Sequence, residues 1–294
     1  MKRIWPAKTN RRKMDDSLHK KINSAIRLIQ SAANQAKERF GEKLEVSYSG
    51  GKDSDVILEL AKMASVDFIA IYKCTTIDPP YTIKHAEENG ALIIRPKMNF
   101  PELLAYGGFP NWRYRFCCNT LKEYKVLNVA ILGVRACESN ARKERYKEPT
   151  QCRVYSKTSE VQQYFPILNW TNEDCLNFIK EREIKLHPLY YNPDGSIDMS
   201  KRLGCMCCPL TGERLRREQF AEHPNMLKLY LRGGRMFLEQ HKDSVKQKYG
   251  DEYRWLVRDL FFRSDEEFYN KIGGGIFGEQ DCKALLENYF KVKL

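Results

Sequence analysis

The residues best suited to chemistry form one short loop, Ser49-Gly50-Gly51-Lys52-Asp53-Ser54. The glycines let backbone N–H groups approach phosphate oxygens closely, and Lys52 adds a positive charge. An alternating apolar run, residues 44–48, precedes the loop, and a run with helical spacing, residues 55–63, follows it. The loop is therefore predicted to lead from a strand into the N-terminus of a helix, where the helix dipole attracts anions. The alternative is an ordinary glycine-rich turn.

The cysteines are the second chemical feature. Cys117 and Cys118 are adjacent, and two residues separate Cys205 from Cys208. Four such thiolates suit a tetrahedral zinc or a four-iron cluster, and spacing alone does not choose between them. The alternative is a set of unrelated buried thiols, since cysteine is among the most buried residue types. Cys282 is predicted to pack in the core on a helical face. The remaining cysteines predicted as core or neutral positions are Cys74, Cys137, Cys152 and Cys175.

Composition limits the partners. The chain has 294 residues and a net charge of +12, which favours acidic partners such as nucleotides, DNA or RNA. Part of this charge forms a basic N-terminal arm, for which a solvated surface is the alternative. No apolar stretch approaches the ~20 residues of a membrane helix, and the N-terminus lacks the apolar core of a signal peptide. We therefore expect a cytoplasmic protein without a membrane partner, in which disulfides are disfavoured.

The elements that must position these residues follow an α/β pattern. A long amphipathic helix is predicted up to a stop at Gly41, with Asp16 or Ser17 as its cap. Apolar runs at 68–72, 91–94 and 126–132 alternate with helical stretches. This alternation predicts a parallel sheet with flanking helices, and such sheets bind nucleotides at the carboxyl ends of their strands.

The pattern changes after Trp170. Residues 171–174 start a helix with a capping box, and a turn-rich stretch at 187–195 precedes the last cysteine pair. Apolar faces at 226–231, 236–245, 253–261 and 284–290 predict a helical C-terminal part. The predicted domains are a basic arm with an N-terminal helix (1–43), a nucleotide-binding domain with the cysteine cluster (44–210) and a helical region (211–294).

Several motifs together resemble one known family. The loop itself resembles the pyrophosphate-binding loop (PP-loop) of the adenine nucleotide α-hydrolase superfamily, and it differs from the Walker loop. The motifs that carry the wider resemblance are the loop, 75–80, Cys117-Cys118 with Leu121-Lys122, Gly133-Val134-Arg135 with Glu138-Ser139 and Arg142, Pro166-Ile167 with Trp170, and 204–209. Over residues 44 to 210 the chain resembles the phosphoadenosine phosphosulfate (PAPS) reductase family, which includes adenylylsulfate reductases and the DndC-type ATP pyrophosphatases of DNA phosphorothioation.

The resemblance implies roles for individual residues. Arg135 and Arg142 look like the family's anion-binding arginines, because guanidinium groups hold sulfate or phosphate oxygens bidentately. Surface ion pairs are the alternative for both, and Lys122 has the same two interpretations. Asp53 becomes a magnesium partner if the nucleotide is ATP. The implied catalytic residues are Lys52, Asp53, Arg135 and Arg142. The implied nucleotide-binding residues are Ser49, Gly50, Gly51, Lys52, Asp53, Ser54, and on the adenosine side Thr76 and Asp78.

The resemblance also bears on the metal. Members with a cluster carry a tandem pair and a two-residue-spaced pair of cysteines. Cys117, Cys118, Cys205 and Cys208 thus become the expected ligands of a 4Fe-4S cluster, which is favoured over zinc. Cys207 is extra to this pattern and could substitute for a neighbour. The cluster need not shuttle electrons, since a structural or substrate-polarising role is equally open.

One departure from the family concerns the nucleophile. The reductases attack the substrate sulfur with a cysteine in a C-terminal Glu-Cys-Gly motif. The last cysteine here, Cys282, lacks the following glycine and histidine. The favoured hypothesis is therefore a DndC-like ATP α-hydrolase that releases pyrophosphate during sulfur transfer to an acceptor such as nucleic acid, with a sulfur-donor protein as partner. The alternatives are a sulfonucleotide reductase that uses Cys282 or Cys207 to form sulfite, and a non-catalytic protein that binds nucleotide and nucleic acid.

Overall fold

The computed structural model describes residues 8–111, 113–156, 159–241, 250–272 and 281–294, with side chains from residue 16 onward. Some sequence predictions therefore concern residues that the structure does not describe. These are the basic positions 2 and 3, residues 242–245 of the predicted segment 236–245, and residues 279 and 280 before Cys282. At the basic positions 8 and 11–13 the backbone is described and the side chains are not. Among the described residues, no helix has the length and apolar character needed to cross a membrane.

The elements alternate as the sequence predicts up to residue 132. In chain order they are α1 (Lys8–Phe40), β1 (Leu44–Tyr48), α2 (Lys52–Met63), β2 (Phe68–Lys73), α3 (Thr82–Glu88), β3 (Leu92–Ile94), α4 (Phe100–Gly107), α5 (Phe116–Leu121), β4 (Val129–Leu132), α6 (Asn140–Arg145), β5 (Thr150–Ser156), β6 (Ser159–Tyr164), α7 (Asn172–Glu181), α8 (Glu213–Glu222), α9 (Pro224–Gln240), α10 (Glu252–Phe261), α11 (Asp265–Lys271) and α12 (Cys282–Phe290). Short 3-10 turns lie at Ala136–Glu138 and Pro188–Tyr190.

The strands form one sheet in the order β3-β2-β1-β4-β6-β5. All neighbours are parallel except β5 and β6, which pair antiparallel. β1 lies in the middle, with Val46 opposite Ala70 of β2 and Ile131 of β4. The predicted α/β fold, a parallel sheet with flanking helices and a helical C-terminal part, is confirmed. The β5–β6 hairpin was not predicted, because polar residues such as Gln151 and Gln163 interrupt its apolar pattern.

The described chain divides into two compact units. Unit 1 comprises the described residues of Met1–Cys74, Pro79–Arg95 and Tyr124–Leu203, and unit 2 those of Thr75–Asp78, Pro96–Glu123 and Gly204–Leu294. Each unit has its own hydrophobic core. This division assigns the four predicted metal-binding cysteines to the unit that contains the C-terminal helices. The domain boundaries at 43/44 and 210/211 stay a prediction.

Unit 1 is built around the sheet and α1. The helix buries a stripe that includes Leu18, Ile22 and Ile29, and it packs on α2 and β4. It ends at Gly41, where φ is +65° and the N–H of Glu42 donates to the carbonyl of Ala36. The predicted stop is therefore confirmed. The predicted cap is wrong, because Asp16 and Ser17 lie inside a helix that begins at Lys8.

Two further predictions about helices have definite outcomes. Thr171 caps α7 reciprocally with Asp174, as the capping box predicts, and Cys175 and Phe178 are buried on one face. In unit 2, α9 runs unbroken through Gly233 and Gly234, where the sequence predicts two separate segments. A Cβ at these glycines would lie 2.4 Å from Leu104 Cβ and 2.5 Å from Phe109 Cζ. The glycines thus permit close packing against α4 and the residues that follow it.

Candidate functional site

Residues 49–54, here called the phosphate loop, join β1 to α2 as predicted. Gly51 is the N-cap of α2 and provides no side-chain cap, so no side chain competes with an anion for the first N–H groups of the helix. The carbonyl of Gly51 accepts hydrogen bonds from the N–H groups of Ser54 and Asp55, at 2.9 and 3.0 Å. The loop is therefore a compact turn whose helix end suits an anion.

The two glycines of the loop are required for different reasons. Gly50 has φ +74°, a left-handed conformation that glycine adopts without strain. A Cβ on Gly50 would also lie 3.1 Å from Cγ2 of Thr82. Gly51 is limited by space alone, since a Cβ there would lie 3.2 Å from the hydroxyl of Tyr190. Side chains in unit 1 thus hold the loop backbone from beneath.

The two serines of the loop are placed differently. Ser54 is buried, and its hydroxyl donates to the carbonyl of Gly51 at 2.7 Å, which fixes the turn. Ser49 is exposed, and its hydroxyl donates to Ser54 Oγ at 3.2 Å. Of the two hydroxyls, that of Ser49 is the one open to a ligand.

Lys52, within the loop, is buried with 3% of its surface exposed. Its Nζ donates to the carbonyl of Lys201 at 3.2 Å, lies 3.6 Å from Asp53 Oδ2 and is 5.3 Å from the ring centroid of Tyr190. Burial lowers the pKa of Lys52, and Arg135 lowers it further, whereas Asp53 opposes the shift. The ammonium group is therefore held in place and only partly compensated by Asp53.

Arg135 joins the loop to two other parts of unit 1. Its Nε donates to Asp53 Oδ1 at 2.7 Å, and its Nη1 donates to Asn172 Oδ1 at 2.9 Å. Only 1% of Arg135 is exposed, so it does not form the surface ion pair of the alternative interpretation. Burial lowers the pKa of Arg135, but Cys175 and Asp53 outweigh it and raise the pKa above its usual value. Arg135 orients Asp53, and hence the first turn of α2.

Cys137 is a site residue that the sequence analysis missed. Its Sγ accepts a hydrogen bond from Arg135 Nη1 at 3.3 Å and lies 3.3 Å from the carbonyl of Trp170. Cys137 is exposed, as is Cys152 on the edge strand β5, so neither is a core residue. The buried positions of Cys74 and Cys175 agree with the prediction. The sequence signal that could have identified Cys137 is its position two residues after Arg135.

Arg142 lies on α6 and pairs with Glu138 one turn earlier. Arg202 lies 3.8 Å from the same carboxyl group. Burial lowers the pKa of Arg142, and the neighbouring Arg202 lowers it further. In the structure Arg142 forms the ion pair of the alternative interpretation, and its anion-binding role stays a prediction.

A buried polar group behind the loop was also missed. Asp55, 2% exposed, accepts from the hydroxyl of Tyr48 and lies 3.1 Å from Nε2 of His85. Burial raises the pKa of Asp55 above its usual value, against the lowering effect of His85 and Tyr48. These contacts connect β1, α2 and α3 directly beneath the phosphate loop. They fix the helix start that would receive the anion.

The predicted adenosine-side residues belong to unit 2. Both carboxylate oxygens of Asp78 accept from Thr75, one from its N–H and one from its hydroxyl, each at 2.7 Å. Thr76 has φ +64°, and its hydroxyl accepts from the N–H of Phe100 at 2.8 Å. Asp78 therefore stabilises its own turn and Thr76 holds the start of α4, and contact with adenosine stays a prediction.

Unit 2 brings all four predicted ligand cysteines together. Cys117, Cys118, Cys205 and Cys208 line one small cavity, here called the thiol cavity. A hydrogen bond from Cys117 lowers the pKa of Cys118 to about 7 and raises that of Cys117. Lys122 also lines the cavity. Burial lowers its pKa, but Cys205 and Asp78 outweigh burial and raise it.

Cys207 does not line this cavity. It is fully buried with φ +55°, and its carbonyl accepts from Tyr230 Oη at 3.0 Å and Arg216 Nε at 3.2 Å. Burial raises the pKa of Cys207 to about 12. Within the described ranges, no group of three or more His, Cys, Asp or Glu side chains has an arrangement that could hold a single metal ion.

Comparisons with known proteins add the following. Residues 43–211 match the phosphoadenosine phosphosulfate reductase domain. An uncharacterized protein of Methanocaldococcus jannaschii is 28% identical over 221 residues, which are 70% of this chain and 51% of that protein. The chain spans about half the length of the curated relatives it matches.

Two solved structures are similar in fold. The PAPS reductase from Candida auris in its phosphate complex has a TM-score of 0.41 and 17% identity, covering 67% of this chain and 97% of that one. The U34-tRNA thiolase NcsA from Methanococcus maripaludis with its [4Fe-4S] cluster has a TM-score of 0.40 and 16% identity, covering 94% and 91%.

Proposed function

Since the chain belongs to the phosphoadenosine phosphosulfate reductase domain family, we propose that it is a DndC-like ATP α-hydrolase that releases pyrophosphate and activates an acceptor for sulfur transfer. The observation that carries the proposal is the uncapped start of α2, where the glycine turn adjoins the buried Lys52–Asp53–Arg135 group. Two cations around one carboxylate leave net positive charge at a helix N-terminus, which favours a polyphosphate.

Each residue has a proposed part in binding ATP with Mg²⁺. The backbone N–H of Lys52 and that of Gly51, which in the structure donates to Ser49 Oγ at 3.4 Å, would hold phosphate oxygens, and the exposed Ser49 hydroxyl would donate to another. Lys52 Nζ would stabilise the negative charge that develops on the departing pyrophosphate. Asp53 Oδ1 accepts from Arg135 at 2.7 Å and Oδ2 lies 3.6 Å from Lys52 Nζ, so a Mg²⁺ ion bound by Asp53 would compete with these two cations.

The state of the candidate nucleophiles favours this proposal over a sulfonucleotide reductase. Attack on sulfur requires a thiolate. Cys282 is only 7% exposed, and burial raises its pKa to about 11, so it is protonated at neutral pH. The pKa of Cys207 is raised even further, to about 12. A reductase activity would need a thiol other than these two.

We further propose that the thiol cavity holds the 4Fe-4S cluster. Four thiols with no competing donor suit iron–sulfur ligation, since each thiolate binds a different iron. A zinc ion bound by the four sulfurs at about 2.3 Å is the alternative occupant, and absorbance near ~400 nm distinguishes the cluster from zinc. The bound cluster would supply iron able to polarise or carry sulfur.

The nucleotide proposal is tested with Lys52→Met. We expect anaerobically purified protein to split α-labelled ATP with Mg²⁺ into labelled AMP and pyrophosphate. The variant should do so about 100-fold more slowly, because it lacks a charge that stabilises the leaving group. Lys62→Met is the matched control, since Lys62 lies on the same helix with half of its side chain exposed. Absence of release by the parent protein, with or without acceptor nucleic acid, would rule out the hydrolase.

The cluster proposal is tested with Cys205→Ala. We expect the anaerobically purified parent protein to absorb near ~400 nm. The variant should contain less iron and melt at a lower temperature, because a cluster stabilises the state that binds it. Cys152→Ala is the control, since Cys152 is exposed on the edge strand of unit 1. Unchanged iron content and melting in the Cys205 variant would exclude Cys205 as a ligand.

A further inference from the structure

A groove in unit 2 carries an excess of arginine. Its volume is about 480 Å³, and its charged lining residues are Arg113, Glu213, Arg216, Arg258, Asp259 and Arg263. We name it the arginine groove. Four guanidinium groups face two carboxylates. Arg258 pairs with one of these, Asp259, at 3.3 Å and also with Asp265, which does not line the groove. The lining is therefore net positive and suits an anion.

Arg216 is the buried member of this lining. It is 6% exposed, and its Nε donates to the carbonyl of Cys207. Its Nη2 is buried and has no hydrogen-bond partner among the residues that the structure describes. A buried guanidinium N–H group without a hydrogen-bond acceptor is unfavourable. An anion in the groove would provide that acceptor.

An exposed aromatic residue, Tyr114, follows Arg113 of the groove lining in the chain. Asn111 Oδ1 accepts from the N–H groups of Arg113 and Tyr114, each at 2.9 Å, and this fixes the turn that presents both side chains. Tyr114 is 59% exposed, and Arg115 follows it, also exposed. Alternating arginine and aromatic side chains suit a chain that carries both phosphates and flat bases.

The groove adjoins the thiol cavity within the same unit. Pro209, which follows Cys208, lines both the arginine groove and the thiol cavity. A strand held by its phosphates in the groove would thus lie next to the four thiols. This proximity distinguishes the groove from a basic patch elsewhere on the surface.

We infer that the arginine groove binds the phosphate backbone of a single-stranded nucleic acid, with Tyr114 stacking on one base. An acidic peptide would also pair with the arginines, but its carboxylates would not stack on the exposed ring of Tyr114. The role of the bound strand as sulfur acceptor rests on the proposed function, whereas its binding needs neither nucleotide nor cluster chemistry.

The test measures the anisotropy of labelled RNA and DNA strands of about 12 nucleotides, within the ~4–16 that one single-strand site covers. The full chain is used without ATP over a range of salt. For Arg113→Ala/Arg263→Ala we expect about tenfold weaker binding and a shallower salt dependence, by about 0.7 in log–log slope for each phosphate that is no longer neutralised. Tyr114→Ala should weaken binding at least about fivefold, because the base no longer has a ring to stack on. A preference of the parent for RNA or for DNA identifies the type of strand.

The matched control is Arg214→Ala, because Arg214 is 89% exposed on α8, pairs with Glu218 and does not line the groove. It should bind within about twofold of the parent. Equal binding by the parent and both groove variants would overturn the inference. So would equal affinity for polyglutamate together with no effect of Tyr114→Ala, which would indicate an acidic peptide. Pyrophosphate release by the parent protein is measured in parallel without any strand. If the parent binds the strand but releases no pyrophosphate, the proposed function is refuted and the inference about the groove stands.

Discussion

Replacing Arg135 with methionine is expected to lower the free energy of unfolding by about 2 kcal/mol, because a largely buried carboxylate loses a charge-assisted hydrogen bond and keeps Lys52 Nζ, 3.6 Å away, as its remaining cation. Asp53 Oδ1 lies 2.7 Å from Arg135 Nε, and the Arg135 side chain is 1% exposed. Pyrophosphate release should fall about 1000-fold, since the first turn of α2 loses its orientation as well as its charge. Urea unfolding and single-turnover assays measure the two effects.

A double-mutant cycle separates this pair from general damage. Asp53→Asn removes the carboxylate charge, and we expect the two substitutions to couple by about 2 kcal/mol, the size found for residues in direct contact. Arg182→Met is the control, because Arg182 pairs with Glu59 at 2.8 Å on the surface of the same unit. It should lower stability by less than about 1 kcal/mol. Additive effects of the Arg135 and Asp53 variants would contradict the buried pair.

Gly133 directly follows β4, and its replacement with alanine is expected to distort the neighbouring phosphate loop. A Cβ at Gly133 would lie 2.7 Å from the carbonyl oxygen of Asp53 and 2.8 Å from its carbon, so the backbone of α2 must shift. We expect a loss of about 2 kcal/mol in stability, typical of overpacking, and at least tenfold weaker ATP binding. Differential scanning calorimetry measures the stability, and isothermal titration calorimetry measures the affinity for ATP.

Gly204→Ala is the matched control, since a Cβ there would meet nothing within 4 Å. It should leave both ATP affinity and melting temperature near the parent values. Normal ATP binding by the Gly133 variant would mean that the loop does not need its present position to hold the nucleotide.

Local patterns predicted the elements that hold the phosphate loop. The apolar residues of the alternation at 44–48 and of the helical spacing at 55–63 are mostly buried in β1 and α2. Their spacing in the sequence therefore follows from the buried side of each element. The capping box at Thr171 is equally local. The β5–β6 hairpin has exposed and polar positions on both strands, and Val154 is 66% exposed, so no clear alternation marks it.

The remaining site features depend on contacts between distant parts of the chain. No local signal brings Asn172 to Arg135, or His85 to Asp55, because these pairs meet only when the sheet and its helices have assembled. The glycine pair at 233–234 has the composition of a break in a helix, yet its function in α9 is close packing against Leu104 and Phe109. A single sequence does not distinguish these two uses of glycine.

The division into units has a consequence for how the chain is made. Unit 2 draws on Thr75–Asp78, Pro96–Glu123 and Gly204–Leu294, so its core closes only when the last helices have left the ribosome. Phe100 and Leu104 are synthesised long before α9, the helix that covers them. The segment 43–211, which carries the family match, therefore contains only part of unit 2. Cutting the chain after it would leave the cysteines on polypeptide that has lost most of its apolar neighbours.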